Sequence, residues 1–229
     1  PTPTDLTIHD ARFEPRNAQM APESQERALT PAEARAMGAT DTFGLAIQRD
    51  DLLAYAVARF HELAADDAMP SVDKAQQAMR LIDRIGDPEL TDAAPEITAA
   101  LIDGRDTPDP VFEAGARLDD ARVKARDLLF SGQVDQAVEH IESVVAALDE
   151  QFAAGDGVPR YFNSYADRVI YNHLFAIRDE RTVLIPDNLF YAHMELADAL
   201  AQLKGAKEAL PHLNRLVAYA PSYALSHLK

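Results

Sequence analysis

From Asp50 to Tyr219 apolar side chains recur at three- and four-residue intervals, and glycine or proline interrupts them at short distances. That spacing is the turn of an α-helix, not the alternation of a strand, and it restricts the chain to short packed helices. Asp50 to Asp66 places Leu52, Leu53, Ala56, Val57, Phe60, Leu63 and Ala64 on one face, with Asp51, Tyr55, Arg59 and Glu62 opposite. Ser71 is expected to cap a helix with Val72, Ala75, Met79, Ile82 and Ile85 inward, stopped by Gly86. Further helices are predicted over Thr91 to Asp103, Asp109 to Phe130, Gln133 to Phe152 and Pro159 to Phe175. Two more run from Asp187 or Asn188 to Lys204 and from Ala206 to Tyr219, with a kink or late start at Pro211. Thr182 to Ile185 is the one convincing β-branched run, so a short extended segment is possible there. The class is all-α.

Before these helices, residues 1–30 carry Pro1, Pro3, Pro15 and Pro22 without periodicity and read as a flexible arm. Thr30-Pro31-Ala32-Glu33 reads as a helix start. The region 31–108 is helical without a visible register, and 109–229 is the more regular part. The start at Pro1 and the helix-like tail from Ser222 to Lys229 lead us to expect a piece of a longer protein, with repeats continuing past Lys229. No signal peptide is visible, and a cytoplasmic location is expected.

Composition removes whole classes of function. The chain has no cysteine, which excludes disulfides, thiolate zinc sites and cysteine nucleophiles from it. Its 38 acidic against 22 basic side chains give a net charge of −16, with the larger share of the excess before residue 111. Phosphate binding needs clustered cations, so a nucleic-acid partner is not expected. No apolar run approaches the roughly 18 residues of a membrane span, so no membrane partner is expected either.

The regular part repeats itself. Ala137 is followed by apolar residues at +4, +7 and +8 (Ile141, Val144, Val145), and so is Ala209 (Leu213, Leu216, Val217). Twelve residues before them stand Ala125 and Ala197; nine before stand Leu128 and Leu200. Two antiparallel helices need small side chains where their axes approach and large ones above and below. Ala137 and Ala209 lie 72 residues apart, about two units of a 34-residue repeat plus a short insertion.

Leu196, Ala197, Leu200, Gly205, Ala209, Leu213 and the closing Pro221 resemble a tetratricopeptide repeat. Residues 118–149 resemble a second copy at Ala125, Leu128, Gly132, Ala137, Ile141 and Val144, with Lys124 at a usually apolar position and Asp149 in place of the closing proline. The middle copy, over 152–187, is degenerate. The resemblance implies a helical-hairpin solenoid, a right-handed superhelix that binds protein or peptide ligands along the first helix of each repeat. Carried over, the groove positions are Tyr191, Met194, Asp198, Ala201 and Gln202 in one copy. In the other they are Asp119, Arg122, Arg126, Leu129 and Phe130. The Lys and Asn set with which some family members clamp a peptide carboxylate is absent from these positions.

Chemistry is sparse. The seven histidines show no H-E-x-x-H spacing, His61-Glu62 and His193-Met194-Glu195 are isolated, and Glu139, His140 and Glu142 are expected on a solvated face. No phosphate loop or nucleophile elbow occurs, so we expect no catalysis, no metal and no cofactor. The densest candidate binding stripe is Tyr161, Tyr165, Arg168 and Asn172, spaced as one face of the helix predicted from Pro159, with Phe162, Ala166, Val169, Ile170 and His173 on the more apolar side. The expected function is a protein- or peptide-binding scaffold of open oligomeric state. The alternatives are a regulatory or structural segment docking against other domains of a longer protein, and an enzyme with a non-obvious site.

Overall fold

The computed structural model describes residues 46–177 and 180–228. The expected arm and the helix start at Thr30 lie outside that range. Among the described residues are eight α-helices and two short strands: α1 Arg49–Ala65, α2 Ser71–Ile85, α3 Pro88–Ile102, α4 Ala114–Phe130, α5 Val134–Ala153, β1 Val158–Arg160, α6 Tyr165–Leu174, β2 Thr182–Leu184, α7 Asp187–Leu203 and α8 Ala206–Tyr219. The fold is all-α with one small parallel pairing, Val158 to Thr182 and Arg160 to Leu184.

Three sequential hairpins dominate the packing: α2 with α3, α4 with α5, and α7 with α8. The tight turns need a left-handed residue, supplied by Gly132 at φ 74° and Gly205 at φ 102°. Inside the second and third hairpins the four alanines are buried: Ala125, Ala137, Ala197 and Ala209. Their missing bulk is what lets the helices approach. Ala137→Leu and Ala209→Leu are each expected to cost about 1–3 kcal/mol by overpacking. Urea unfolding checks this, and an unshifted midpoint would remove these alanines from close helix contacts.

Two apolar cores form. One joins α1, α2 and α3 and takes in Phe162, Tyr171 and Leu184 from later in the chain. The other joins α4, α5, α7 and α8 and includes Tyr161, Val183 and Ile185. Neighbouring residues of the segment 161–185 thus serve opposite cores. Between the cores lies Arg49, buried among Asp87, Glu89, Phe112 and Phe152. Burial alone would pull its guanidinium pKa down, but the two carboxylates outweigh that and hold it above its ordinary value.

Several expectations shift. α3 starts at Pro88, not Thr91, because Asp87 accepts hydrogen bonds from the backbone N–H of Glu89 and Leu90. α2 begins at Ser71, which makes no side-chain cap. Its inward face is Lys74, Ala75, Ala78, Ile82 and Ile85; Val72 and Met79 point outward. Both stripes fit helical spacing. The small Ala75 and Ala78 permit the closer approach, and Lys74 lies along the core while its Nζ donates to the Ala64 carbonyl at 2.9 Å. α4 starts at Ala114, after an irregular approach that brings Phe112 against the first core. α8 runs from Ala206 through Pro211 without a late start.

The largest change concerns the helix predicted from Pro159. Val158–Arg160 is a strand, and the helix begins only at Tyr165, where the Ser164 hydroxyl accepts from the Asp167 N–H. A Cβ on Gly157 would collide with Val183, so glycine permits the close approach of the two strands. Past α8 the chain makes one 3-10 turn, Ala224–His227, held by the buried Ser226 hydroxyl donating to the carbonyls of Ala220 and Tyr223.

Candidate functional site: an apolar groove between three helices

The small residues that let α4 and α5 approach leave a trough beside them. Ala125 and Ala137 both line it, with Val138 and Ile141 of α5, and Leu196 and Ala199 of α7 close its other wall. The groove encloses about 480 Å³. Its lips are Leu129 and Leu203, 50% and 51% exposed, large apolar side chains that the fold leaves half uncovered. Phe130, beyond Leu129, is more exposed still.

One charged clamp spans the groove. The Arg122 guanidinium donates to both carboxylate oxygens of Glu195 at 3.1 Å, tying α4 to α7, and lies 3.6 Å from Asp119. Both bonds leave one guanidinium nitrogen, so the clamp ties α4 to α7 at a single point. Arg126 lines the groove one turn further along. The trough presents apolar surface with cationic groups on its α4 wall, in a chain that is strongly acidic as a whole.

The expected site residues fall into separate places. Arg122, Arg126 and Leu129 line this groove. Tyr191, Met194, Asp198 and Gln202 do not. Glu195, Ala199 and Leu203 stand there instead, one position further along the same helix. A single-residue slip rotates a helical side chain by about 100° and changes the face it occupies. Met194 packs partly buried against the second core, and Asp198 and Gln202 face solvent. Tyr191 shares a hydrogen bond between hydroxyls, 3.0 Å, with Tyr161.

The stripe Tyr161, Tyr165, Arg168 and Asn172 does not exist as one helical face. Tyr161 precedes α6, is buried, and stacks on Phe190 at 4.2 Å between ring centroids. Arg168 is buried with its guanidinium 4.4 Å over the Phe162 ring. Burial pushes its pKa down to about 10, against the pull of Tyr171 and Glu180. Tyr165 is half-buried and Asn172 exposed. Tyr161 and Arg168 turn inward while Asn172 stays on the surface, so the four do not form one face toward a ligand.

Other polar groups converge in the core. Asp149, His193, His212 and Glu142 form a line across α5, α7 and α8. Sequence reading separates these residues; the signal that joins two of them is His193 on the same stripe as Leu196, Ala197 and Leu200. Among the described residues no group of three or more His, Asp or Glu side chains is placed to hold a metal ion. No family model, no curated protein and no solved structure matches this chain.

Proposed function

We propose that this chain is a protein- or peptide-binding module built of tetratricopeptide-like hairpins, which takes its ligand in the groove between α4, α5 and α7 and performs no chemistry of its own. The observation that carries this reading is the pair of half-exposed lips, Leu129 and Leu203, over a trough lined by small side chains. A segment with apolar side chains on one face fits such a trough. The groove is preformed by hairpin packing, so binding orders little of the receptor. The recurrence of Ala125 with Ala137 and of Ala197 with Ala209 supports the repeat architecture, here a right-handed superhelix of hairpins. The partner is a protein or peptide, not nucleic acid or a membrane; no described helix is long and apolar enough to cross one. A cytoplasmic location belongs to the same reading.

A second reading has one observation behind it. Leu174 and Ile177, at and beyond the end of α6, are largely exposed and lie away from the groove residues in sequence. Exposed apolar clusters mark docking faces, and this one would suit another domain of a longer protein.

The test is a peptide selection against the intact chain, followed by two groove variants. Ala199→Trp fills the trough, and Leu129→Glu charges its lip. Each is expected to weaken the selected peptides at least about tenfold, roughly 1.4 kcal/mol, while circular-dichroism melting stays unchanged. Peptides that bind both variants as well as the parent chain would place the site elsewhere.

A further inference from the structure

Four ionisable side chains form one line through the packed interface of α5, α7 and α8, and none of them lines the groove. Asp149 of α5 accepts from His193 Nε2 of α7 at 3.0 Å and from the Tyr219 hydroxyl of α8, and pairs with Arg215 of α8 at 3.2 Å. His193 Nδ1 faces His212 Nδ1 of α8 at 2.9 Å. On its far side His212 Nε2 lies 3.5 Å from Glu142 of α5. His193 is almost wholly buried.

Counting ring protons fixes the arrangement. Asp149 is an acceptor, so His193 carries a proton on Nε2. Its Nδ1 is then a lone pair, and His212 must supply the proton shared between the two Nδ1 atoms. The first extra proton goes to His212 Nε2, where Glu142 receives it. A further proton has only His193 Nδ1 left, which already faces the Nδ1–H of its neighbour. That proton breaks the histidine–histidine bond and sets two imidazolium rings side by side.

We propose that this quartet is a pH-sensitive latch: the interface has places for three ring protons, and the fourth releases α8 from α5 and α7. Burial first, and then whatever charge His193 shares through the Nδ1–Nδ1 bond, hold the His212 pKa below its ordinary value, although Glu142 and Asp149 pull it upward. The direction follows. In the unfolded chain the His212 imidazole protonates near pH ~6.5, so just below that pH the unfolded state binds more protons there than the folded one. Stability therefore falls as pH falls through this window. Asp149 does not confuse the reading. Burial opposes its charge, but His193, Tyr219 and Arg215 outweigh that and hold its carboxyl below the usual range, so it stays ionised throughout. His61 works the other way. Hydrogen bonds to Asp106 and Asp109 raise its pKa, so its contribution is present at low pH and fades as pH rises. The readout must therefore be local to α8.

The experiment is amide hydrogen exchange of the intact chain from about pH 7.5 to 5.0, with α8 compared to α2 after correction for intrinsic rates. Protection of α8 relative to α2 is expected to fall toward about tenfold per pH unit below the ordinary histidine pKa. In His212→Asn, whose amide donates to His193 Nδ1 and, turned over, accepts from that nitrogen once it is protonated, the ratio should stay flat. A flat ratio in the parent chain, or an equal fall in the variant, overturns the latch. Nitrogen-15 spectra of the parent chain give a second decision that needs no variant. They should show His193 protonated on Nε2 and His212 on Nδ1 at neutral pH. The opposite tautomers, or two charged rings at pH 5 with α8 still protected, overturn it equally.

Discussion

Asp87→Ala should destabilise the chain by about 3–5 kcal/mol, as expected when one partner of a buried ion pair is removed. Arg49 and Asp87 are 3% and 2% exposed, and the guanidinium donates to both Asp87 oxygens at 2.7 and 3.1 Å. The same carboxylate caps α3 through the Glu89 and Leu90 N–H groups. Alanine thus strands a buried cation and uncaps a helix in one step. Glu89, 2.7 Å from the guanidinium, would retain part of the pairing, which offsets the lost cap and keeps the expected cost within that range. Asp87→Asn separates the two roles: its amide oxygen can still cap α3, so its loss should be smaller by about 1 kcal/mol, the usual worth of a cap. Because Arg49 also rests against Phe112 and Phe152, from opposite sides of the core boundary, unfolding should remain one transition. Chemical denaturation of both variants checks the sizes. A loss below about 1 kcal/mol for Asp87→Ala would mean that water reaches the cation and the pair is not desolvated.

The helices were legible because burial and helical geometry impose one period on the sequence. Asp50 to Asp66 needed only its apolar stripe, and α1 buries Leu52, Leu53, Ala56, Phe60 and Leu63 as that stripe requires. Where two stripes compete, the period alone cannot choose. In α2 the residues 72, 75, 79 and 82 make as good a helical face as 75, 78, 82 and 85. The neighbour decides, and it decides for the alanines. The start of α3 was written in Asp87-Pro88, a cap followed by proline, but a weaker signal at Thr91 competed with it. β1 left almost no trace. Three residues are too few to show alternation, and its partner β2 is more than twenty residues away in sequence. A strand made by a distant neighbour is a tertiary effect.

The groove was legible in part for the same reason. Arg122, Arg126 and Leu129, named through the resemblance, line the groove because they share the face of α4 turned toward α7. On α7 the residues that line this groove lie one position after those carried over from the resemblance. Its buried stripe, Leu189, His193, Leu196, Ala197 and Leu200, sets the rotation, and Glu195, Ala199 and Leu203 follow on the flank toward α4. Tyr161 misled because tyrosine and arginine make good anchors both on surfaces and inside cores. Only the end of the predicted helix could have told them apart, and Asn163-Ser164, a cap signal ahead of Tyr165, was the place to find it.

Phe190→Ala is the second large effect, about 3–5 kcal/mol, as for a fully buried aromatic side chain truncated in a core. Phe190 is fully buried at the start of α7, where three parts of the chain meet on its ring. Tyr161, in the crossing segment, stacks on it within 9° of parallel; Tyr191 meets it edge-on at 5.7 Å, and Tyr223 of the C-terminal turn lies 6.0 Å away. The crossing segment is tied on other sides as well: the Tyr161 N–H donates to the Tyr219 carbonyl at 2.9 Å, its hydroxyl meets Tyr191, and the Arg160 guanidinium donates to the Tyr171 hydroxyl and the Ala218 carbonyl at 2.7 Å. Truncation therefore leaves a cavity that a rigid strand on one side and two helices on the other cannot easily close. Phe190→Leu keeps most of the volume and the apolar contact but loses the stack, which is worth about 0.5–1.5 kcal/mol beyond burial. The difference between the two variants then isolates the cavity from the ring contact. Denaturation midpoints give both numbers, and near-ultraviolet circular dichroism reports the tyrosines around the ring. If Phe190→Ala costs no more than Phe190→Leu, the surrounding segments collapse onto the gap, and the crossing segment is held by β1 and β2 rather than by this ring.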